Sequence, residues 1–385
     1  MTITLPPVDR AQLVADRRDL HQHPELGFEE TRTAALVAQR LGALGYTVRT
    51  GVATTGVLAV RGEGPRCVLL RADMDALPVE EANDVPYRSR VPGKMHACGH
   101  DGHVAIGLEA ARRLAQVRLP GAVKFAFQPA EEISGGAERL IAEGALHDPA
   151  VQAAFGLHLW NDLPLGTIGI RPGPVMAAVD HFAIEIQGRG GHAAAPHQAV
   201  DPVVAAAHIV SALQTLVSRA RNPTEEGVVS VTRVHAGEAF NVIPDRAELA
   251  GTVRSFGGRF HDDSPDLVRR TAEQVAAAFG ARAEVRYRRL SPPVVNDERM
   301  TALMREVAVE LVGPSRVRDD VRTMGGEDMA CYLAAVPGCF AFVGAAPRQG
   351  GAPPHHSPRF DIEEEALVIG TELLTRTALR YLETA

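Results

Sequence analysis

Cysteine, tryptophan and lysine are scarce in this chain, and no long apolar run interrupts it. Four cysteines in 385 residues (Cys67, Cys98, Cys331, Cys339) do not make a disulfide framework. No run reads as the roughly 18 apolar residues of a membrane span. The N-terminus, MTITLPPVDR, lacks the basic and then apolar segments of a signal peptide. These absences predict a reduced, cytoplasmic protein with no membrane partner, whose thiols are available to bind metal. Only Lys94 and Lys124 supply lysine among 40 cations, a composition bias without mechanistic weight. Set against 47 acids, those cations leave a net charge of −7, which argues against nucleic acid as a partner. An apolar fraction of 45% with 23% charged residues excludes a disordered chain. The length predicts two domains, or one with an insertion.

The pattern of elements predicts an interrupted α/β protein. Helical spacing covers 10–20 and 29–44, strands follow at 56–61 and 67–71, and a helix is expected over 103–117. A strand at 122–127, a helix at 136–146 and a strand at 153–160 continue the alternation. Near-continuous apolar strands between helices indicate a sheet covered on both faces, with its site at the carboxyl ends of the strands. The character changes near Pro172–Pro174. Strand 179–187, helix 202–219, strands 228–234 and 246–255, helix 266–279 and strand 283–289 follow the order β-α-β-β-α-β. That split-βαβ unit of about 110 residues is a normal domain size. The expected boundaries are 1–177 with 291–385 for the α/β domain, and 178–290 for the insertion.

Chemistry-bearing residues gather at the predicted strand ends. Met95–His103 holds Cys98, His96, His100, His103 and Asp101, the ligand types of zinc and of harder divalent ions. Cys98 and His100 converge only if the segment is a loop or extended. The strand Phe125–Phe127 runs through Pro129 into Glu131 and Glu132. Neighbouring carboxylates repel and need a cation, so one suits a ligand and the other a proton acceptor. Asp73 and Asp75 leave another strand, and one of them suits orienting a ligating imidazole. His158 sits on an apolar strand, and His355 and His356 are exposed between prolines. Each also has a plain structural reading. Together, one Cys, two His, two Glu and one more His describe a two-metal site plus a base, which suits hydrolysis.

The strings RRDLHQHPELGFEE, LRADMDALPVEE, MHACGHDGH, FQPAEE, GLHLW, GRGGHAAAPH, NVIP, GTVRSF, MGGEDM and HHSPRF occur in this order along the chain. In them the sequence resembles the bacterial and plant aminoacylase group of dinuclear metallohydrolases, which includes hippurate hydrolase and indole-acetyl-amino-acid hydrolase. The resemblance implies a metallopeptidase-like α/β catalytic domain with an inserted α+β (split-βαβ, ferredoxin-like) dimerisation and lid domain. It implies two divalent metal ions held by Cys98, His100, Glu132, His158 and His356, where the residues alone left 355 and 356 open. Zinc or manganese suits the donors, with cobalt or nickel as alternatives. Cys98 is favoured as the bridging ligand, since a thiolate can bridge. The resemblance assigns Glu131 as general base and acid, Asp75 as the orienting aspartate, and His192 as oxyanion stabiliser. It places Asn241, Arg254 and Gly325 at the substrate; a guanidinium grips a carboxylate bidentately. Position 355 departs from the family, which usually carries an apolar residue there, and Ile133 stands where relatives often have Gly. The expected activity is amide hydrolysis of a small N-acyl amino acid by a homodimer or homotetramer built through the inserted domain. Rival readings are a dipeptidase or N-carbamoyl-amino-acid hydrolase with the same site, a non-catalytic ligand-binding module, and a redox role for Cys98.

Overall fold

The computed structural model describes residues 3–347 and 351–384. The chain forms two compact units: a larger one of Met1–Gly173, Val295–Val321 and Asp328–Ala385, and a smaller one of Pro174–Val294 and Arg322–Glu327.

The larger unit opens with α1 (Arg10–Gln22), started by Asp9, whose carboxylate accepts the Gln12 N–H. Then come α2 (Thr31–Ala43), β1 (Thr47–Val52), β2 (Gly56–Arg61), β3 (Cys67–Asp73), α3 (His100–Ala115), β4 (Ala122–Gln128), α4 (Gly136–Ala142), β5 (Ala153–Pro164) and β6 (Ile168–Gly169). The chain passes through β7 (Gly173–Met176) into the smaller unit. That unit comprises β8 (Ala178–Gln187), β9 (Gly191–His192), α5 (Pro202–Thr215), β10 (Gly227–Ala236), β11 (Val242–Ile243), β12 (Arg246–Ser255), α6 (Gly258–Ala278) and β13 (Arg282–Ser291). The return through β14 (Val294–Asn296) adds α7 (Glu298–Val312), β15 (Val317–Arg318), α8 (Met329–Ala335), β16 (Gly338–Ala346) and α9 (Glu365–Glu383).

Eight strands of the larger unit form one sheet in the order β1-β2-β4-β3-β5-β16-β6-β15. Its centre is parallel: β3 pairs in parallel with β4 and β5, and β16 with β5. Every residue of β3 and β4 is buried, as expected of strands covered on both faces. Val68, Leu70, Val123, Phe125, Phe127 and Phe155 join Val104 and Ile106 of α3 in one core. Each such side chain contributes about 1.5–3 kcal/mol on burial. Parallel pairing places the carboxyl ends of β3, β4, β5 and β16 along one edge.

The smaller unit is an antiparallel sheet in the order β10-β12-β8-β13. Residues of β8 alternate between buried and half-buried, and Phe182, Ile184 and Ile186 pack with Ile209 and Leu213 of α5 and Val268 of α6. This is the split-βαβ arrangement inserted in an α/β chain.

Several local readings change. The helix expected from 266 starts at Gly258 and carries Pro265 inside. The carbonyl that Pro265 cannot reach, that of His261, accepts instead from Ser264 Oγ (3.0 Å) and Arg289 Nη2 (3.1 Å). β1 was not expected, because five of its six residues are not buried and it shows no apolar alternation. The expected helix over 136–146 ends at Ala142. Finally, Pro202–Ala220 is long and apolar enough by composition to cross a membrane. Its inner face, through Ala205, Ala206, Ile209, Leu213 and Leu216, belongs to the core of the smaller unit.

Candidate active site

Gly99 makes the first convergence. Its φ of +93° belongs to the left-handed region that costs a side chain energy and glycine little. The chain turns there, so that Cys98 precedes α3 and His100 is its first residue, with their donor atoms on common ground. The expected helix start at 103 moves back to His100. His100 Nδ1–H donates to the Asp75 carbonyl (2.9 Å), which leaves Nε2 as its acceptor nitrogen. That Nε2 lies 3.6 Å from Asp73 Oδ2 and 3.9 Å from Glu132 Oε1.

The loop after β4 brings the paired acids. Ala130 has φ +53°, and its N–H donates to Glu30 Oε1 (2.9 Å), while Thr55 Oγ1–H donates to Glu30 Oε2 (2.5 Å). Gly136 is obligatory here: a Cβ would lie 1.7 Å from the Pro129 carbonyl oxygen. Glu132 N–H donates to Asp75 Oδ2 (3.0 Å), and its Oε1 is 3.3 Å from His356 Nε2. Glu131 offers an oxygen within 4.8 Å of donor atoms of His100 and Glu132.

β5 presents His158. Its Nδ1–H donates to the Leu159 carbonyl (2.8 Å), and Nε2 stands 3.6 Å from Cys98 Sγ. Beyond β16 the chain returns with His356 at φ +66°; its N–H donates to the Ala97 carbonyl (2.8 Å). A histidine in this region is uncommon and marks a constrained position.

A second layer holds these residues. His103 Nδ1–H donates to Asp73 Oδ1 (2.6 Å), and its Nε2 accepts the Leu159 N–H (3.0 Å). Arg71 joins Asp73 (2.5 Å) to Asp328 (2.8 Å). Asp328 also accepts from Gln128 Nε2 (2.7 Å) and the Ala137 N–H (3.0 Å). Glu30 and Asp328 were missed as positioning residues from sequence, although GFEE and MGGEDM contain them. Nothing local says that a distant loop needs their oxygens.

The electrostatics call for positive charge. Burial pushes the Cys98 thiol well above its ordinary range, and Glu132 adds to the rise. Burial and His103 hold His158 far below the usual imidazole value, so it is neutral and its Nε2 can ligate. At His100 burial opposes protonation, but Asp73, Asp75 and Cys98 outweigh it and raise the pKa. Asp75 Oδ1, His100 Nε2 and Glu132 Oε1 are buried without a hydrogen-bond partner. Buried orphans of this kind cost about 1–3 kcal/mol each, and a divalent cation would satisfy His100 Nε2 and Glu132 Oε1. It also holds the thiolate that burial otherwise disfavours.

Donor atoms within 4.8 Å of one another form the groupings Cys98–His100–His158, Cys98–Glu132–His356 and His100–Glu131–Glu132. The first two share Cys98. A further grouping, Asp73–His100–His103, is a hydrogen-bonded support, because both nitrogens of His103 are already engaged. His192, Asn241, Arg254 and Gly325 lie in the smaller unit. His192 pairs with Val242 across β9 and β11, next to Asn241, whose carbonyl accepts the Ala193 N–H (3.1 Å). Arg254 Nε donates to Thr252 Oγ1 (3.0 Å). A Cβ on Gly325 would meet nothing closer than 3.5 Å, whereas one on Gly326 would meet Val179 at 2.0 Å.

A sheet with a parallel centre whose strand ends gather a thiol, imidazoles and paired carboxylates defines a metal-dependent hydrolase of the α/β class. The chain belongs to peptidase family M20/M25/M40, whose family model matches residues 69–380. It is 42% identical over 379 residues to the N-acetylcysteine deacetylase of Bacillus subtilis (strain 168), covering 97% of each chain. It is 40% identical over 379 residues to the IAA-amino acid hydrolase ILR1-like 4 of Arabidopsis thaliana, covering 96% of this chain and 86% of that protein. The crystal structure of the Bacillus subtilis YXEP protein, described as a dinuclear metal binding peptidase from the M20 family, matches with a TM-score of 0.84 at 38% identity, covering 98% of this chain and 99% of that one.

Proposed function

We propose that this protein hydrolyses the amide bond of N-acyl amino acids, with two divalent ions held by Cys98, His100, Glu132, His158 and His356. The observation that carries the reading is the pair of ligand groupings sharing Cys98, with Glu131 beside them. The full-length likeness to an N-acetylcysteine deacetylase and to an IAA-amino acid hydrolase supports the substrate class. The ions supply Lewis acidity, polarising an acyl carbonyl and making water a better proton donor. Glu131 takes a proton from the attacking water as the C–O bond forms. It returns that proton to the amide nitrogen as the C–N bond breaks, releasing a carboxylic acid and an amine. Asp75 fixes the His100 tautomer through its carbonyl and the acid loop through the Glu132 N–H. In this reading His192 donates to the developing oxyanion, Arg254 grips the substrate carboxylate, and Asn241 and Gly325 contact the substrate.

Thiolate, imidazole and carboxylate suit zinc or manganese first, and cobalt or nickel next. The inserted unit serves subunit pairing in this proposal, supported by exposed Val234, Phe240 and Val242 and by the sheet edges at β10 and β13; sedimentation tests it. A cytoplasmic setting accords with a chain that carries only four cysteines in 385 residues.

Glu131→Gln is the decisive variant. It should lose about 10²–10⁴-fold in kcat while retaining the metal content of the parent. Unchanged kcat overturns the assignment. Chelation should abolish turnover and added metal restore it; full activity without metal refutes the reading. N-acetyl, N-benzoyl, N-carbamoyl and dipeptide substrates, assayed with each metal, separate the proposed activity from its carbamoylase and dipeptidase rivals. Metal and substrate binding without turnover favours a binding module.

A further inference from the structure

His355 touches the site through its sulfur, and nothing in the assignment above uses it. Its ring stacks on Trp160 (centroids 4.6 Å apart, 29° between planes) and tilts against Phe360 (5.0 Å). Its Nε2 accepts the backbone N–H of Asn161 (3.3 Å). Asn161 also ties down the loop on either side of His355, as its Nδ2 donates to the carbonyls of Pro353 (3.1 Å) and Asp361 (2.9 Å). A neutral imidazole whose Nε2 accepts must carry its proton on Nδ1. That Nδ1 lies 3.6 Å from Cys98 Sγ, within reach of a hydrogen bond to sulfur.

Two roles fit a histidine beside a ligating thiol: a further metal ligand, or a donor to the sulfur. The first needs a bare nitrogen facing the ion. Here the Asn161 N–H occupies Nε2, and the proton occupies Nδ1. Among the described residues, no grouping of three ligand atoms within 4.8 Å of one another includes His355. We propose that His355 is a positioning residue that donates an Nδ1–H···S hydrogen bond to the Cys98 thiolate and so sets how strongly that sulfur donates to the metal.

The consequence follows from charge. A thiolate in a buried, carboxylate-rich site has few donors to delocalise it. An N–H aimed at the sulfur draws down its lone-pair energy and fixes its direction. Less electron density then reaches the ions, which remain stronger Lewis acids. Trp160 stacking holds the ring in plane, and Asn161 holds the tautomer.

The inference rests on Cys98 being a ligand, and the Co(II)-loaded full-length protein tests both parts. Wild-type protein should show a near-ultraviolet sulfur-to-cobalt charge-transfer band that Cys98→Ser removes. His355→Phe keeps a ring for Trp160 and deletes the donor. It should move the band to longer wavelength, as the sulfur lone pair rises in energy. His355→Asn restores an N–H near the Nδ1 position and should return the band toward its wild-type place. A band unmoved in His355→Phe with stoichiometric cobalt overturns the donor role, as does an equal shift in both variants. Bound cobalt with no charge-transfer band in the wild type instead overturns Cys98 as a ligand, and the proposal with it.

Discussion

The Arg17→Met variant tests whether buried charge holds the metal-binding helix in place. Arg17 sits in α1 with its side chain 0% exposed, and its Nε donates to Asp101 Oδ2 at 2.9 Å. Its Nη2 reaches Asp361 Oδ1 at 2.8 Å, and its guanidinium lies over the Tyr87 ring. Asp101, equally buried, follows His100 in the first turn of α3 and also faces His21 Nδ1 at 2.8 Å. Burial raises its carboxyl pKa, but Arg17 and His21 outweigh that and hold it far below the ordinary range. Methionine fills the space of the stem and leaves that carboxylate with the imidazole alone. Breaking a buried pair costs about 3–5 kcal/mol. The remaining His21 contact, and the partial exposure of Asp361, put this case near the lower end. For a unit of this size, about 3 kcal/mol lowers Tm by about 6–12 °C. Trp160 is the single tryptophan and lies on β5, so its fluorescence follows the larger unit without averaging over both units. Metal affinity should fall too, because the first turn of α3 loosens. Adding Asp101→Asn should recover more than half the loss, since an amide leaves no buried charge unpaired. A loss below about 1 kcal/mol in the single variant, or no recovery in the double, refutes the reasoning.

Gly136→Ala should destabilise by about 1–3 kcal/mol or more and release metal, as its Cβ meets the Pro129 carbonyl. Gly42→Ala, within α2 and facing open space, should instead stabilise by about 0.5–1 kcal/mol. Urea unfolding with metal titration reads both; equal effects contradict the loop geometry. His21 gives a pH signature. Burial and Arg17 lower its pKa, but Asp101 and Glu81 more than compensate and leave it raised. Its stabilisation is therefore fully present below the unfolded imidazole value of about 6.5 and is lost as pH rises through the folded value. The Tm gap between wild type and His21→Gln should shrink from about pH 6 to about pH 9. A gap constant across that range removes the charged pairing.

Much of this architecture was legible because it is periodic or local. The apolar runs of β3 and β4 read as covered strands because both faces are buried. The alternation in β8 and the order of its neighbours announced the inserted α+β unit. Cys98, His100, Glu131, Glu132 and His158 stood out because thiol, imidazole and adjacent carboxylates are uncommon at strand ends. What escaped had no local mark. β1 is an edge strand with little to bury. Pro265 hid the first two turns of α6, since proline's missing donor is made good only by Ser264 and Arg289. Between His355 and His356, chemistry alone does not choose. The fold separates them, turning one toward the Glu132 carboxylate and the other toward Trp160 and the Cys98 sulfur.

The amino-acid order on its own settled which donor atoms exist, most of the segments that become strands or helices, and that one domain interrupts another. These depend on side-chain type and on periods of two and of 3.6 residues, which a chain carries along its own length. Only the tertiary structure decided who meets whom. Glu30 clamps a backbone amide 100 positions away, and Asn161 sets the tautomer of a histidine 194 positions on. Any buried carboxylate or amide could satisfy such a partner chemically. The choice comes from packed parallel strands that deliver specific loops to one edge, a property of the assembled sheet and of no single segment.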